Sequence, residues 1–271
     1  MDAFQAIVLG IVQGLTEFLP ISSTGHLRIV PAFAGWEDPG TAFTAVVQLG
    51  TMLAVLVYFR HDLWRIARAW LRSLRDPRAR GTLDARLGWF IILGTIPISV
   101  FGLLFKDQIE TDARQLTLIG ITLIALGIVL QAAEKFGSKR RDIDTLTMRD
   151  GWIIGFAQAA ALVPGVSRSG ATISAGLFLG LNREAAARYS FLLSVPAVVA
   201  SGLFELKDIG GDNSAGFGAT ALATLLAFVV GYASIAFLLR FLARHPVTVF
   251  VVYRVGLGIV VLALVASGAI S

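Results

Sequence analysis

A chain of 271 residues that is 56% hydrophobic and only 15% charged cannot build the polar shell of a water-soluble domain, in which about a quarter of the residues are charged. Its mean hydropathy is +0.76, and with no cysteine it has neither structural disulfides nor thiolate metal sites. The net charge of +5 is distributed between apolar segments, where it sets membrane topology; nucleic acid is therefore not an expected partner, and the surrounding phase is lipid.

The first apolar stretch, residues 3–34, is cut in its middle by Phe18-Leu19-Pro20-Ile21-Ser22-Ser23-Thr24-Gly25. Its halves are shorter than the roughly 20 residues a helix needs to cross the hydrocarbon core, so the stretch predicts a re-entrant helix–loop–helix. Irregular backbone at that depth is tolerated only where protein or a wet cavity surrounds it. Three spans follow, at about 41–60, 86–106 and 114–134. A second interrupted stretch, 150–180, breaks at Val163-Pro164-Gly165-Val166-Ser167-Arg168-Ser169-Gly170 and precedes spans at about 185–206, 217–240 and 246–268. The predicted fold is an all-α polytopic membrane protein, with six transmembrane helices and two re-entrant hairpins in one integral domain, 1–271.

The two interrupted stretches resemble each other: Gly10-x-x-Gln13 precedes the first break and Gly155-x-x-Gln158 the second. Each half then runs re-entrant, span, span, span. An odd number of spans per half starts the second half on the opposite face, which predicts inverted repeats over about 1–135 and 150–271 and a site near the bilayer midplane. Charge agrees. With the 60–86 loop in the cytoplasm, 17 of the 23 Lys and Arg residues fall inside and only Arg28, Lys106, Arg114 and Lys207 outside, as the positive-inside rule requires. Both termini then face the periplasm. Arg168 and Arg254 remain embedded.

Embedding a charge costs about 2.5–3.5 kcal/mol on insertion scales, so Glu17 in the first break and Arg168 in the second are candidates for chemistry; the plainer reading is that they pair and pin the loops together. Each break also leads into a helix N-terminus, whose unpaired N–H groups and positive dipole end attract anions. Ser22, Ser23, Ser167 and Ser169 suit N-caps, but together with Thr172 and His26 around one pocket they suit chemistry as well. His26 lies three residues after Ser23 and four after Ser22, on their helical face, and is placed for general acid or base work. Gly165 and Gly170 allow close backbone approach to a ligand. Gln13, one turn before Glu17, is suited to orienting water, coordinating a metal through its carbonyl, or bonding between helices. Arg254 has no assigned chemistry. Gly10-x-x-x-Gly14 and Gly151-x-x-x-Gly155 predict close helix packing.

The run Gln13-Gly14-Leu15-Thr16-Glu17-Phe18-Leu19-Pro20-Ile21-Ser22-Ser23-Thr24-Gly25-His26 resembles the first signature of the bacitracin-resistance type of undecaprenyl-pyrophosphate phosphatase, and Pro164-Gly165-Val166-Ser167-Arg168-Ser169-Gly170-Ala171-Thr172 its second. Gln13 stands where that family often has a second glutamate. The resemblance implies hydrolysis of an isoprenoid pyrophosphate lipid in the bacterial inner membrane, at a site opening toward the periplasm and dependent on a divalent cation, Mg²⁺ or Ca²⁺. By motif position it implies Glu17, Ser23, His26 and Arg168 as catalytic residues. Ser22, Thr24, Gly165, Ser167, Ser169, Gly170 and Thr172 would bind substrate, and Glu17 with Gln13 would hold the metal. Ser23 is the expected nucleophile with His26 as its base; attack by His26 or by an activated water are the alternatives. A transporter or flippase for an anionic lipid is the competing reading, since broken helices in inverted repeats also build transporters. Lipid-facing and partner-facing apolar surfaces look alike in sequence, which leaves a homodimer open.

Overall fold

The computed structural model describes residues 1–105, 115–205 and 216–270; Lys106, Arg114 and Lys207, and the ends of the three predicted spans that reach them, lie outside the described residues. Both interrupted stretches resolve into paired helices. The first gives α1 (Ala3–Phe18) and α2 (Ser23–Ala34). Asp2 opens α1 with a capping box, accepting from the Gln5 amide at 2.8 Å while the Gln5 side chain accepts from its own amide at 3.2 Å. Pro20 forces the preceding Leu19 out of helical geometry, and α1 stops. Helices α3 (Gly40–Tyr58), α4 (Arg60–Arg75), α5 (Leu83–Leu104) and α6 (Leu116–Phe136) follow. The second stretch gives α7 (Met148–Ala159), capped by Thr147 and Asp150, and α8 (Arg168–Phe178) beyond Pro164. Helices α9 (Arg183–Glu205), α10 (Phe217–Leu242) and α11 (Thr248–Ala266) complete the described chain.

By length and composition α5, α6, α10 and α11 can each cross a membrane; a fifth span results if residues 43–58 and 60–75 count as one, but they are bent 75° at their junction. That bend departs from the sequence reading. The 60–86 segment, read as a cytoplasmic loop, holds a four-turn amphipathic helix, α4.

The halves interlock crosswise. Helices α1 and α3 of the first half pack on α10 of the second, while α7 and α9 of the second pack on α5 of the first; α6 pairs with α11 and α3 with α9. Lipid tails are as apolar as leucine, so such packing depends on close backbone approach over small residues. Both small-residue motifs supply it. A methyl at Gly10 would lie 2.5 Å from the Ala223 carbonyl oxygen, and one at Gly155 would lie 2.5 Å from that of Gly94. Gly50 of α3 meets the Thr224 carbonyl oxygen as closely, at 2.2 Å.

Ion pairs gather at the end predicted to be cytoplasmic. Arg183 forks onto both oxygens of Glu134, Arg188 meets Asp62 at 2.7 Å, and Arg65 bridges Asp84 and Asp62 at 2.8 and 3.0 Å. Arg141 bonds Asp150 at 2.6 Å, and that carboxylate raises the Arg141 guanidinium above its ordinary pKa. These pairs tie α4, α5, α6, α7 and α9 together at one end of the bundle.

Candidate active site

Ser22 and Ser167 occupy the same unusual backbone conformation. Their φ,ψ values are 75°,99° and 70°,116°, the left-handed side of the map that a non-glycine residue enters only when its surroundings hold it there. Each is the N-cap of the helix that follows. Ser22 Oγ accepts from the Gly25 amide at 3.4 Å, and Ser167 Oγ accepts from the Gly170 amide at 3.1 Å. Both serines therefore carry the capping role that their residue type predicts. The residue after each cap points the first side chain of its helix at one common atom group, the Glu17 carboxylate.

Ser23 Oγ, from α2, donates to Glu17 Oε2 at 2.5 Å, and Arg168 Nη2, from α8, donates to Glu17 Oε1. Gln13 Nε2 donates to Oε2 at 3.0 Å and Gln48 Nε2 to Oε1 at 3.4 Å. The buried carboxylate thus receives four donors from α1, α2, α3 and α8. Thr51, which donates to the Gln48 carbonyl at 2.8 Å, accepts from Gln13 Nε2 at 3.3 Å and fixes its amide from behind. Gln13 turns its NH₂ toward the carboxylate because an ionised carboxylate only accepts; its Oε1 is left buried without a partner.

His26 is not on Ser23. Its Nδ1 donates to the Ser22 carbonyl at 2.7 Å, which leaves Nε2 to accept from the Tyr253 hydroxyl at 2.8 Å. The Tyr253 ring stacks on the imidazole, centroids 5.6 Å apart and planes 10° apart. The expected Ser23–His26 couple is therefore replaced by Ser23–Glu17 and His26–Tyr253. Sharing a helical face brings two residues near each other but does not aim their polar atoms at one another.

The remaining candidates hold the loops. Ser169 Oγ donates to the Leu19 carbonyl at 3.0 Å and ties the second loop to the first. Ser167 and Ser169 hydroxyls lie 3.2 Å apart, and those of Ser22 and Thr24 3.4 Å apart, with Thr24 exposed. Thr172 donates back to the Arg168 carbonyl at 2.7 Å and meets the Ser190 hydroxyl of α9 at 2.6 Å. The two glycines face protein rather than open space. Gly165, at φ +87°, abuts α6, where a methyl would fall 2.0 Å from Thr122 Oγ1; a methyl at Gly170 would fall 2.7 Å from Arg254 Nη1.

Arg254 is the residue that sequence reasoning left without a role. Fully buried, it donates to the Pro20 carbonyl at 3.0 Å, to Gly165 at 2.9 Å, to Val166 at 3.0 Å and to Leu123 at 3.3 Å. One guanidinium from α11 thus joins both loop tips and α6. Its mid-span position marked it; its partners, all backbone carbonyls, have no signature in the sequence. Tyr253, Gln48 and Ser190 were likewise not singled out.

A divalent cation has one carboxylate available here, and no group of three or more His, Asp or Glu side chains that could hold a metal occurs among the described residues. One carboxylate oxygen and the orphaned Gln13 Oε1 nonetheless fit Mg²⁺, which takes most of its shell from water and substrate phosphate.

The whole chain has close counterparts among known proteins. It is 58% identical over 272 residues to an undecaprenyl-diphosphatase of a Nocardioides species, covering 100% of this chain and 99% of the relative. It is 55% identical to an undecaprenyl-diphosphatase of Thermobifida fusca, covering 100% and 93%, and 51% identical to undecaprenyl-diphosphatase 2 of Streptomyces coelicolor, covering 100% and 97%. Residues 6–260 match the family described as bacitracin resistance protein BacA, and to that family the chain belongs.

Proposed function

We propose that the chain hydrolyses undecaprenyl pyrophosphate to undecaprenyl phosphate and inorganic phosphate, recycling the lipid carrier for peptidoglycan synthesis and conferring resistance to bacitracin. The observation that carries this reading is the embedded Glu17 carboxylate, with a serine on one oxygen and an arginine on the other, each from the first turn of a separate helix. A hydroxyl already donating to a buried base, beside a forked cation and two helix N-termini, is a phosphoryl-transfer arrangement. The three relatives carry a hydrolase's name, and nothing among them favours the competing transporter reading.

The mechanism follows from these contacts. Arg168 turns from Glu17 onto the pyrophosphate, where its fork matches the phosphate oxygens, and the α8 N-terminus adds its N–H groups. Ser23 Oγ attacks the terminal phosphorus while its proton passes to Glu17 Oε2, and the bond from that phosphorus to the bridging oxygen breaks, releasing undecaprenyl phosphate. Water then attacks the phosphoserine and Glu17 returns the proton to the departing Ser23 oxygen, freeing inorganic phosphate. Glu17 Oε1, vacated by Arg168, and Gln13 Oε1 would hold Mg²⁺ or Ca²⁺; such an ion supplies charge neutralisation at the phosphates. Attack by His26 is a second reading, favoured by the lone pair that Nε2 keeps for the Tyr253 hydroxyl.

The reading places α1–α2 and α7–α8 as re-entrant hairpins among six spans, α3, α5, α6, α9, α10 and α11, in halves of about 1–135 and 150–271 inverted in the bacterial inner membrane. The crosswise packing supports it, since exchanging the halves maps α1 on α10 onto α7 on α5. The ion pairs that close the opposite end support a site reached from the periplasm.

The test is phosphate release from undecaprenyl pyrophosphate by the purified protein in detergent, with and without a chelator. Release that vanishes in Glu17→Gln and Arg168→Ala, both still folded, is the expected result; no release by the parent overturns the reading. Trapping a phosphoenzyme decides the nucleophile: phosphoserine at 23 is expected, and phosphohistidine at 26 replaces it with the second reading.

A further inference from the structure

Helix α4 has no counterpart in the second half: α3 and α5 are separated by residues 59–82, whereas α9 and α10 are separated only by 206–216. It leaves the end of α3 at 75°, so with α3 crossing the bilayer it runs close to the membrane plane. At about 100° per residue its side chains fall into three sectors. Ile66 and Ser73 are buried, and half-buried Trp70 packs so tightly on α5 that a methyl at Gly88 would lie 2.7 Å from its Cβ. Trp64, Ala67, Leu71 and Leu74 form an adjacent stripe that is exposed, Trp64 by 66%. Arg68, Arg72 and Arg75 border that stripe on its far side and are exposed as well.

The orientation of this helix is fixed, because Arg65 is bonded to Asp84 and Asp62 to Arg188. The apolar stripe therefore has one permanent direction, and it faces away from the protein. The arginines beside it lack strong internal partners. Among the described residues no carboxylate lies within ion-pair distance of Arg68 or Arg75; Arg68 instead rides over the Trp64 ring at 5.8 Å, and Arg72 reaches only an exposed Asp76 at 3.8 Å. Charge is concentrated here to an unusual degree. Residues 60–86 hold eight arginines against three aspartates, which equals the +5 of the whole chain, so the rest of the molecule is electrically balanced.

We propose that α4 is an anchor for anionic phospholipid in the cytoplasmic leaflet: Trp64, Leu71 and Leu74 enter the acyl region, and Arg68, Arg72 and Arg75 hold the headgroup phosphates of negatively charged lipids. An apolar stripe bordered by arginines, in the plane of the bilayer at the exit of a span, has the charge and depth profile of an interfacial helix. A basic residue near an anionic surface contributes about 1 kcal/mol, a factor of about five. Three of them give a preference of tenfold or more over a zwitterionic lipid, even after partial screening by salt. The anchor lies at the end remote from Glu17 and stands whether or not the phosphatase reading does.

The test uses the full chain reconstituted in vesicles containing equal small fractions of phosphatidylglycerol or phosphatidylcholine brominated on the upper acyl carbons, in a phosphatidylcholine background. Trp64 quenching is obtained by difference from Trp64→Phe. Brominated phosphatidylglycerol should quench Trp64 more strongly than brominated phosphatidylcholine. The triple variant R68Q/R72Q/R75Q should lose that preference, whereas R140Q/R240Q/R244Q, which removes equal charge from other loops at the same end, should keep it. Equal quenching by the two lipids in the parent, an unchanged preference in the α4 variant, or equal loss in both triple variants would overturn the proposal.

Discussion

Replacing Arg254 by methionine leaves a side chain of similar length without donors. Four carbonyls, those of Pro20, Leu123, Gly165 and Val166, then lose their partner in a site that water does not reach. Each bond to a charged donor contributes about 1.5–3 kcal/mol, but removing the buried charge also relieves a desolvation cost of several kcal/mol. The balance is a loss of about 3–5 kcal/mol, the usual result of breaking one side of a buried polar arrangement. The effect on turnover is larger than on folding. Arg254 ties the Pro20 tip to the Gly165–Val166 tip, and a drift of about 1 Å between them separates Ser23 from the phosphate held by Arg168, a misplacement that costs about 100-fold. Phosphate release by the purified variant should show kcat reduced about 100-fold with a smaller rise in KM. Size-exclusion profile and melting temperature report whether the fold survives. Arg254→Lys, a point donor that cannot span both tips, should fall between variant and parent and serves where methionine does not fold. A folded Arg254→Met protein with kcat within about threefold of the parent would refute the reasoning, because the tips would then hold their spacing without the guanidinium.

Tyr253→Phe keeps the ring stacked on His26 but removes the donor to Nε2; kcat should fall about tenfold, at the low end of general acid–base contributions, with the melting temperature unchanged, and an unaltered rate and pH profile would detach Tyr253 from catalysis. Arg168→Lys restores the charge without the fork and should leave under about 1% of kcat/KM, whereas recovery near the parent level would mean that charge alone suffices. Gly155→Ala sets a methyl against the backbone of Gly94, which cannot move aside as a side chain can. Overpacking of this kind costs about 1–3 kcal/mol, so the melting temperature should drop by several degrees while the surviving protein keeps its kcat; a melting temperature equal to the parent's would show that α5 and α7 separate freely.

The breaks, their prolines and the embedded charges were legible in the sequence because each violates a rule of membrane burial at a single position. Glu17 and Arg168 stand out that way, and they meet in the structure. Partners 227 residues apart, such as His26 and Tyr253, obey no local spacing. The Ser23–His26 couple failed for a related reason: helix periodicity fixes where a side chain starts but not which atom its polar end finds, and Glu17 on the preceding helix was the stronger acceptor. Gly165 and Gly170 were read as room for a ligand, and they are room for Thr122 and Arg254. In α4 the apolar residues are too widely spaced to register as a span, so the segment looked like a charged loop.

The position of Arg254 in α11 has a consequence for biogenesis. Ribosomes release the amino-terminal loop first and the second loop later, yet the side chain that joins them emerges only with a helix made after both. Through most of synthesis the translocon holds two hairpins that have nothing to lock them together. Chains arrested before that last helix is inserted should accumulate as inert, protease-sensitive intermediates, so the reaction cannot begin on a half-built polypeptide.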